Sequence, residues 1–230
     1  VSWSKVGETG FATGVGDTHV VSLPGSPVAG DFVLVVLACD ATADPSDATT
    51  VITSGYTQLL RTGSNAPTNY VGYKVLSGTP DTEVEVREHV DTLSCGLIQI
   101  WRGVDTASPL DVTPPAAATG TTGTPNPPSI TPATANALVV AIGLLDDDDV
   151  AGSVTAPSGY GDLIAADTGQ GSVDGSTVMV ASKVLATPAA EDPAAFGGGN
   201  DAWIGFTIAL RLAVGSLLLR HRAMDHMLVR

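Results

Sequence analysis

The side chains best suited to chemistry are four histidines, two cysteines and two groups of aspartates. His19 follows Asp17 and Thr18, but no G-x-S-x-G elbow accompanies it. His89 lies in the charged run Arg87-Glu88-His89 and is expected to face solvent. His221 and His226 belong to the last stretch of the chain. No HExxH, paired CxxC, P-loop or GxGxxG pattern is present. Gly197-Gly198-Gly199 precedes a strand-like segment and reads as a loop. A nucleophile, a base and a group to orient them do not come together in this pattern, so the reading is non-catalytic, with no cofactor.

The acidic groups carry more weight. Asp40, Asp44 and Asp47 follow one apolar run, and Asp146, Asp147, Asp148 and Asp149 follow another. Clustered carboxylates repel unless solvated or neutralised, and Ca²⁺ is the hard cation that would neutralise them. The alternating ligands of an EF-hand loop are absent, so a solvated acidic loop is the competing reading. Aromatic rings could stack on sugars. Trp101 reads as core, Trp203 opens a strand and Trp3 lies near the start. Tyr56 and Tyr160 recur in a turn motif and read as structural plugs. Tyr70 and Tyr73 are the two rings expected to face solvent. A receptor- or carbohydrate-binding module is therefore the alternative to a structural role.

The stretch 214–230 differs from the rest. Arg220, Arg222 and Arg230 stand against one acid, Asp225. Val214, Leu217, Leu218, His221, Met224 and Leu228 fall near helical spacing, and Ser216 could cap the start. Two readings stay open: a helix folded back on its own body, or an arm that docks on a neighbouring subunit. In the second, Leu217, Leu218 and Leu228 bury while Arg220, Arg222 and Arg230 pair with carboxylates.

The elements that position these residues are strands. Val33 to Ala38 and Leu138 to Leu144 are continuous apolar runs, as in strands covered on both faces. Val84 and Val86 alternate with Glu83, Glu85 and Arg87, as in a half-exposed strand. Tyr70 to Leu76 and Thr177 to Leu185 read as further strands, and no stretch before Ala213 has a helical period. Four blocks recur in order. Gly30 to Val36 matches Ala135 to Ala141. Ser54-Gly55-Tyr56 returns as Ser158-Gly159-Tyr160. Lys74-Val75-Leu76 returns as Lys183-Val184-Leu185, and Gly96 to Arg102 matches Gly205 to Arg211. The organisation expected is a first β repeat over 1–112, a Pro/Thr/Ala-rich linker over 113–128, a second β repeat over 129–213 and the arm over 214–230. The fold class is all-β: an antiparallel β-sandwich, jelly-roll or immunoglobulin-like, as one pseudo-twofold sandwich or two small ones.

Composition agrees. The 230 residues are 43% hydrophobic but only 5% aromatic, so the core must be aliphatic. The net charge of −14 repels phosphate and argues against nucleic acid. No apolar run reaches membrane-spanning length. The start, Val1-Ser2-Trp3-Ser4-Lys5, has no signal-peptide pattern and implies a cytoplasmic origin. Cys39 and Cys95 lie near the ends of two expected strands. A disulfide is geometrically open to them, and so is burial as two small hydrophobes.

The order Gly30-Asp31-Phe32-Val33-Leu34-Val35, Ser54-Gly55-Tyr56-Thr57-Gln58-Leu59, Tyr73-Lys74-Val75, Trp101-Arg102-Gly103-Val104-Asp105, Asn136 to Ala141 and Ala209-Leu210-Arg211 resembles β-sandwich proteins of tailed-bacteriophage virions. The resemblance covers roughly residues 1–213. It implies a decoration, tail or fibre component without catalytic residues: a homo-oligomer on the virion surface, made in the host bacterial cytoplasm, with the major capsid protein as partner. The arm from Val214 departs from the family pattern.

Overall fold

The computed structural model describes residues 1–13, 18–39, 50–62, 67–87, 93–146, 151–169 and 175–214. Thirteen strands and no helix occur among them: β1 (Ser4–Thr13), β2 (Thr18–Ser22), β3 (Phe32–Cys39), β4 (Thr50–Val51), β5 (Thr57–Thr62), β6 (Thr68–Val75), β7 (Glu83–Arg87), β8 (Ser94–Arg102), β9 (Ala118–Gly120), β10 (Ala137–Leu145), β11 (Gly161–Asp167), β12 (Thr177–Leu185) and β13 (Trp203–Leu210). All pairings between them are antiparallel.

The strands form sheets ordered β1-β8-β3-β6-β5, β11-β12-β10-β13-β9 and β2-β7-β4. The two five-stranded sheets face each other across one core. Phe32, Leu34, Val36, Leu97 and Trp101 meet Leu138, Val140, Ile142, Phe206 and Ile208 there. Their outer faces are covered as well. Val33, Val35, Leu37, Ile98 and Ile100 pack on Val21, Val84 and Val86 of the small sheet. Val139, Ala141, Met179 and Ala209 pack under irregular chain carrying Ile130, Tyr160 and Phe196. This double covering is why β3 and β10 are apolar at every position. Each such Val, Leu or Ile contributes roughly 1.5–3 kcal/mol relative to exposure.

Read from the β9 edge, the second large sheet runs β9-β13-β10-β12-β11, the strand order of the first with β9 in the place of β1. The pairings correspond too. Val33 lies opposite Lys74 and Ile100, and Val139 opposite Lys183 and Ala209. This corrects the sequence alignment of the first block by one residue. Phe32 corresponds to Leu138, and Gly30 to Asn136, both with positive φ (94° and 61°). Both strands are uniformly apolar, so no period-two pattern fixes their register. The bulges Gln58/Leu60 and Gly161/Ile164 also fall at matching places and twist the edge strands β5 and β11 away from regular pairing.

Other differences are local. The span 113–128, read as a linker, contains β9, which pairs with β13 through Ala118–Gly120. Its Ala-Thr-Gly sequence has no apolar alternation to announce a strand. The two large sheets approach closely along β1 and β11, where Gly10 sits so near the Ala166 methyl that an added Cβ would lie 2.8 Å from it. The residues of the arm beyond Val214 lie outside the described residues.

Candidate functional site

Two locks of the same composition hold the turns ahead of β5 and β11. In the first, the Lys74 ammonium lies 5.6 Å from the Tyr56 ring centre, pairs with Asp81 at 2.6 Å and donates to the Ser54 carbonyl. In the second, Lys183 lies 5.6 Å from the Tyr160 ring and pairs with Glu191 at 2.9 Å. Burial pushes both phenols well above the usual tyrosine range, with Asp81 and Glu191 adding to the effect. The recurring tyrosines are thus plugs under lysine caps. The lysines end in ion pairs, so the motif fastens a turn rather than presenting a nucleophile.

Arg102 at the end of β8 and Arg211 just past β13 form a second pair of anchors. Arg102 makes a bidentate contact to Asp31 at 2.8 Å through Nε and Nη2, and Asp31 also accepts the Val28 N–H. Arg211 donates through Nε to Asp111 at 3.2 Å. Asp111 further accepts the backbone N–H groups of Ala133 and Thr134 and the Thr134 hydroxyl. Burial alone would raise the Asp111 carboxyl. The hydrogen bonds from Thr134, Ala133 and Arg211 outweigh it and hold the group below its ordinary range. Neither acid was singled out in the sequence, because the partners of Asp111 lie 22, 23 and 100 residues away.

Where β1 meets β11, Lys5 bridges Glu8 at 2.9 Å and Asp162 at 3.1 Å, and Gln99 links Glu8 to the Trp101 indole. Burial works against the Lys5 charge, but the bonds to Glu8 and Asp162 prevail and raise its pKa. A lysine held protonated between two carboxylates is a strut between sheets, not a base.

Of the sequence-predicted sites, Asp146 lies just past β10, and its N–H donates to the Ala202 carbonyl. Asp147, Asp148 and Asp149 lie outside the described residues, as do Asp40, Asp44 and Asp47. Among the described residues no three His, Cys, Asp or Glu side chains converge on a point that could hold a metal ion. Leu217, Leu218, Arg220, Arg222, Leu228 and Arg230 also lie outside them, and so do His89, His221 and His226. His19 stacks on Phe11, with ring centres 5.9 Å apart.

The expectation that Tyr70 and Tyr73 face solvent is corrected. Tyr70 is 3% exposed, and Tyr73 is half-buried and stacked on Phe32 at 5.0 Å. β6 is an inner strand, paired with β3 and β5, and both faces of its sheet are covered. Trp101 is core, as expected. Trp3 and Trp203 spend their indole N–H groups on the carbonyls of Asn136 and Thr122. Both cysteines are buried and neither is in a disulfide. Cys95 lies opposite Ala38, and Cys39 opposite Ser94, so their side chains leave opposite faces of the sheet and no disulfide can join them. Burial pushes the Cys95 thiol up to about 12.

One surface feature is left unexplained by packing. An open groove on the small sheet is lined by Val20, Thr53, Pro80, Asp81, Glu83 and Glu85. Val20, one of its lining residues, is 51% exposed. Glu83 and Glu85 share one face of β7, with Val84 and Val86 turned inward. Comparison with known proteins finds no matching family model, no matching curated relative and no matching solved structure.

Proposed function

We propose that this chain is a non-catalytic structural protein of a bacteriophage particle, a capsid decoration protein attached to the virion surface through residues 214–230. The observation that carries the reading is that the motifs behind the virion resemblance serve as framework. The Ser-Gly-Tyr turns and their lysines form the two locks, and the terminal arginines form the two anchors. A body with both large sheets covered on both faces suits a rigid outer component. Its acidic exterior discourages self-aggregation at high copy number. The major capsid protein is the partner in this reading, and the decorating unit is a homo-oligomer. Exposed ion pairs contribute little, so Leu217, Leu218 and Leu228 supply most of the attachment and the arginines orient it.

The test compares the full chain with Leu217→Asp/Leu218→Asp for binding to particles stripped of decoration. The full chain should bind, and the variant should bind at least roughly tenfold more weakly. Equal binding would remove the arm as anchor. A full chain that ignores particles but binds a defined glycan would replace the reading with the receptor- or carbohydrate-binding module.

A further inference from the structure

Among the described strands the three sheets have six edges, and five of them carry a device that blocks pairing with another chain. β1, β5 and β11 each have a bulge and charged side chains: Lys5 and Glu8 on β1, Arg61 on β5, Asp162 and Asp167 on β11. β9 has three residues and β4 two. β2 has none of these devices. Its five residues, Thr18-His19-Val20-Val21-Ser22, run in unbroken register along β7 and include no Asp, Glu, Lys, Arg or Pro.

The backbone of β2 is aimed outward as well. The Ile52 N–H donates to the Glu85 carbonyl and the Glu85 N–H to the Thr53 hydroxyl, so Glu85 spends its backbone groups on the β4 side. Alternation along β7 then turns Thr82, Val84 and Val86 toward β2, and the Leu23 N–H donates to the Thr82 carbonyl in that row. His19, Val21 and Leu23 are therefore the residues that bond to β7. Thr18, Val20 and Ser22 turn their N–H and C=O groups to the other edge, where no strand pairs with β2 among the described residues. Their side chains are all exposed, Val20 at 51%.

A second copy of this chain fits that edge. Antiparallel pairing about a two-fold axis sets Val20 opposite the second copy's Val20 and Thr18 opposite its Ser22. Every outward N–H and C=O of the three residues then has a partner. The charges on the outer face of β7 suit the same register. Glu83, Glu85 and Arg87 lie beside Ser22, Val20 and Thr18. Arg87 of one copy falls in a row with Glu83 of the other, roughly 14 Å apart at three strand spacings. Only the small Thr18 and Ser22 side chains lie between, so guanidinium and carboxylate lean toward each other over them. This occurs twice, once on each side of the axis. Glu85 faces the other copy's Glu85 at the same spacing, beyond the Debye length of about 8 Å at physiological ionic strength.

We infer that two copies of this chain join through antiparallel pairing of β2, forming one continuous sheet ordered β4-β7-β2-β2-β7-β4. The pairing uses one edge per copy, so it closes at two and does not propagate. The inference deepens the homo-oligomer of the reading above and rests on that part of it. Its test uses no particles, so attachment to particles and pairing of copies fail separately.

Sedimentation of the full chain at physiological ionic strength should show a reversible dimer with a Kd below about 100 μM. Val20→Lys, at an exposed position, sets two ammonium groups against each other at the axis. It should weaken the dimer at least tenfold, roughly, with an unchanged circular dichroism spectrum. Arg87→Glu should weaken it about fivefold through two lost cross-axis pairs, and Arg87→Glu/Glu83→Arg should restore it. A chain still monomeric at about 1 mM leaves the edge to a foreign strand and overturns the inference. A dimer untouched by Val20→Lys would overturn it too, and so would a double variant as weak as Arg87→Glu.

Discussion

Replacing Asp111 should destabilise the fold more than replacing any exposed aspartate. Its side chain is 0% exposed and ties three separated segments: its own turn, the Ala133-Thr134 turn ahead of β10, and Arg211 just past β13. Asp111→Asn keeps the volume but turns an N–H₂ toward groups that are themselves donors. Each hydrogen bond to a charged acceptor contributes about 1.5–3 kcal/mol. Simple addition overstates the loss, since Arg211 is 31% exposed and can rehydrate, and Ala133 lies at the surface. The expected cost is about 2–4 kcal/mol, or a fall in Tm of roughly 5–15 °C for a chain of this size. The control is Asp105→Asn, which loses only turn bonds to the N–H groups of Ala107 and Ser108 and should cost about 1 kcal/mol or less. The assay is urea unfolding with an unchanged m-value. The carboxyl of Asp111 is held below its unfolded value of 3.8. Its stabilisation is therefore complete above that pH and is lost as pH falls through the folded value. The gap between wild type and Asp111→Asn should be constant near neutrality and close below about pH 4. A cost under about 1 kcal/mol, or a gap that widens in acid, would refute the anchor.

Three further outcomes follow from the packing. Gly205→Ala should cost about 1–3 kcal/mol, because the new Cβ would meet the Asn126 and Pro127 backbone at 2.6–2.8 Å; Gly161→Ala, in open space, should be within about 1 kcal/mol of neutral. Thermal melts of the two variants check the contrast. Lys183→Met should destabilise more than Lys74→Met in urea unfolding, because the partner left behind, Glu191, is 12% exposed against 23% for Asp81. A thiol reagent should leave Cys39 and Cys95 unmodified in the native protein and count both after denaturation without reductant; a count of zero would mean a disulfide.

The two central strands were legible in the sequence because double burial writes a continuous apolar run, and β7 because half-burial writes an alternation. Their register was not, since Val33-Leu34-Val35 against Leu138-Val139-Val140 matches equally well in two frames; the lysines of the two locks decide it. The small sheet was only partly visible. Thr18–Ser22 sets its two valines side by side, so no alternation shows, and β4, on the other side of β7, has only two residues. Tyr70 and Tyr73 were misread because exposure depends on which strand lies at the edge, which no local pattern states. The tyrosine plugs were legible through recurrence. The Asp111 anchor was not, because its partners are joined only by the closure of the second sheet.

The central claim is that this chain belongs to the outside of a virus particle, and imaging intact particles addresses it most directly. Particles purified on a density gradient from a producing host should carry the chain in many copies, and gold-labelled antibody should decorate the capsid shell of unbroken particles in an even array. Particles without the chain, or label confined to debris and cells, would contradict it.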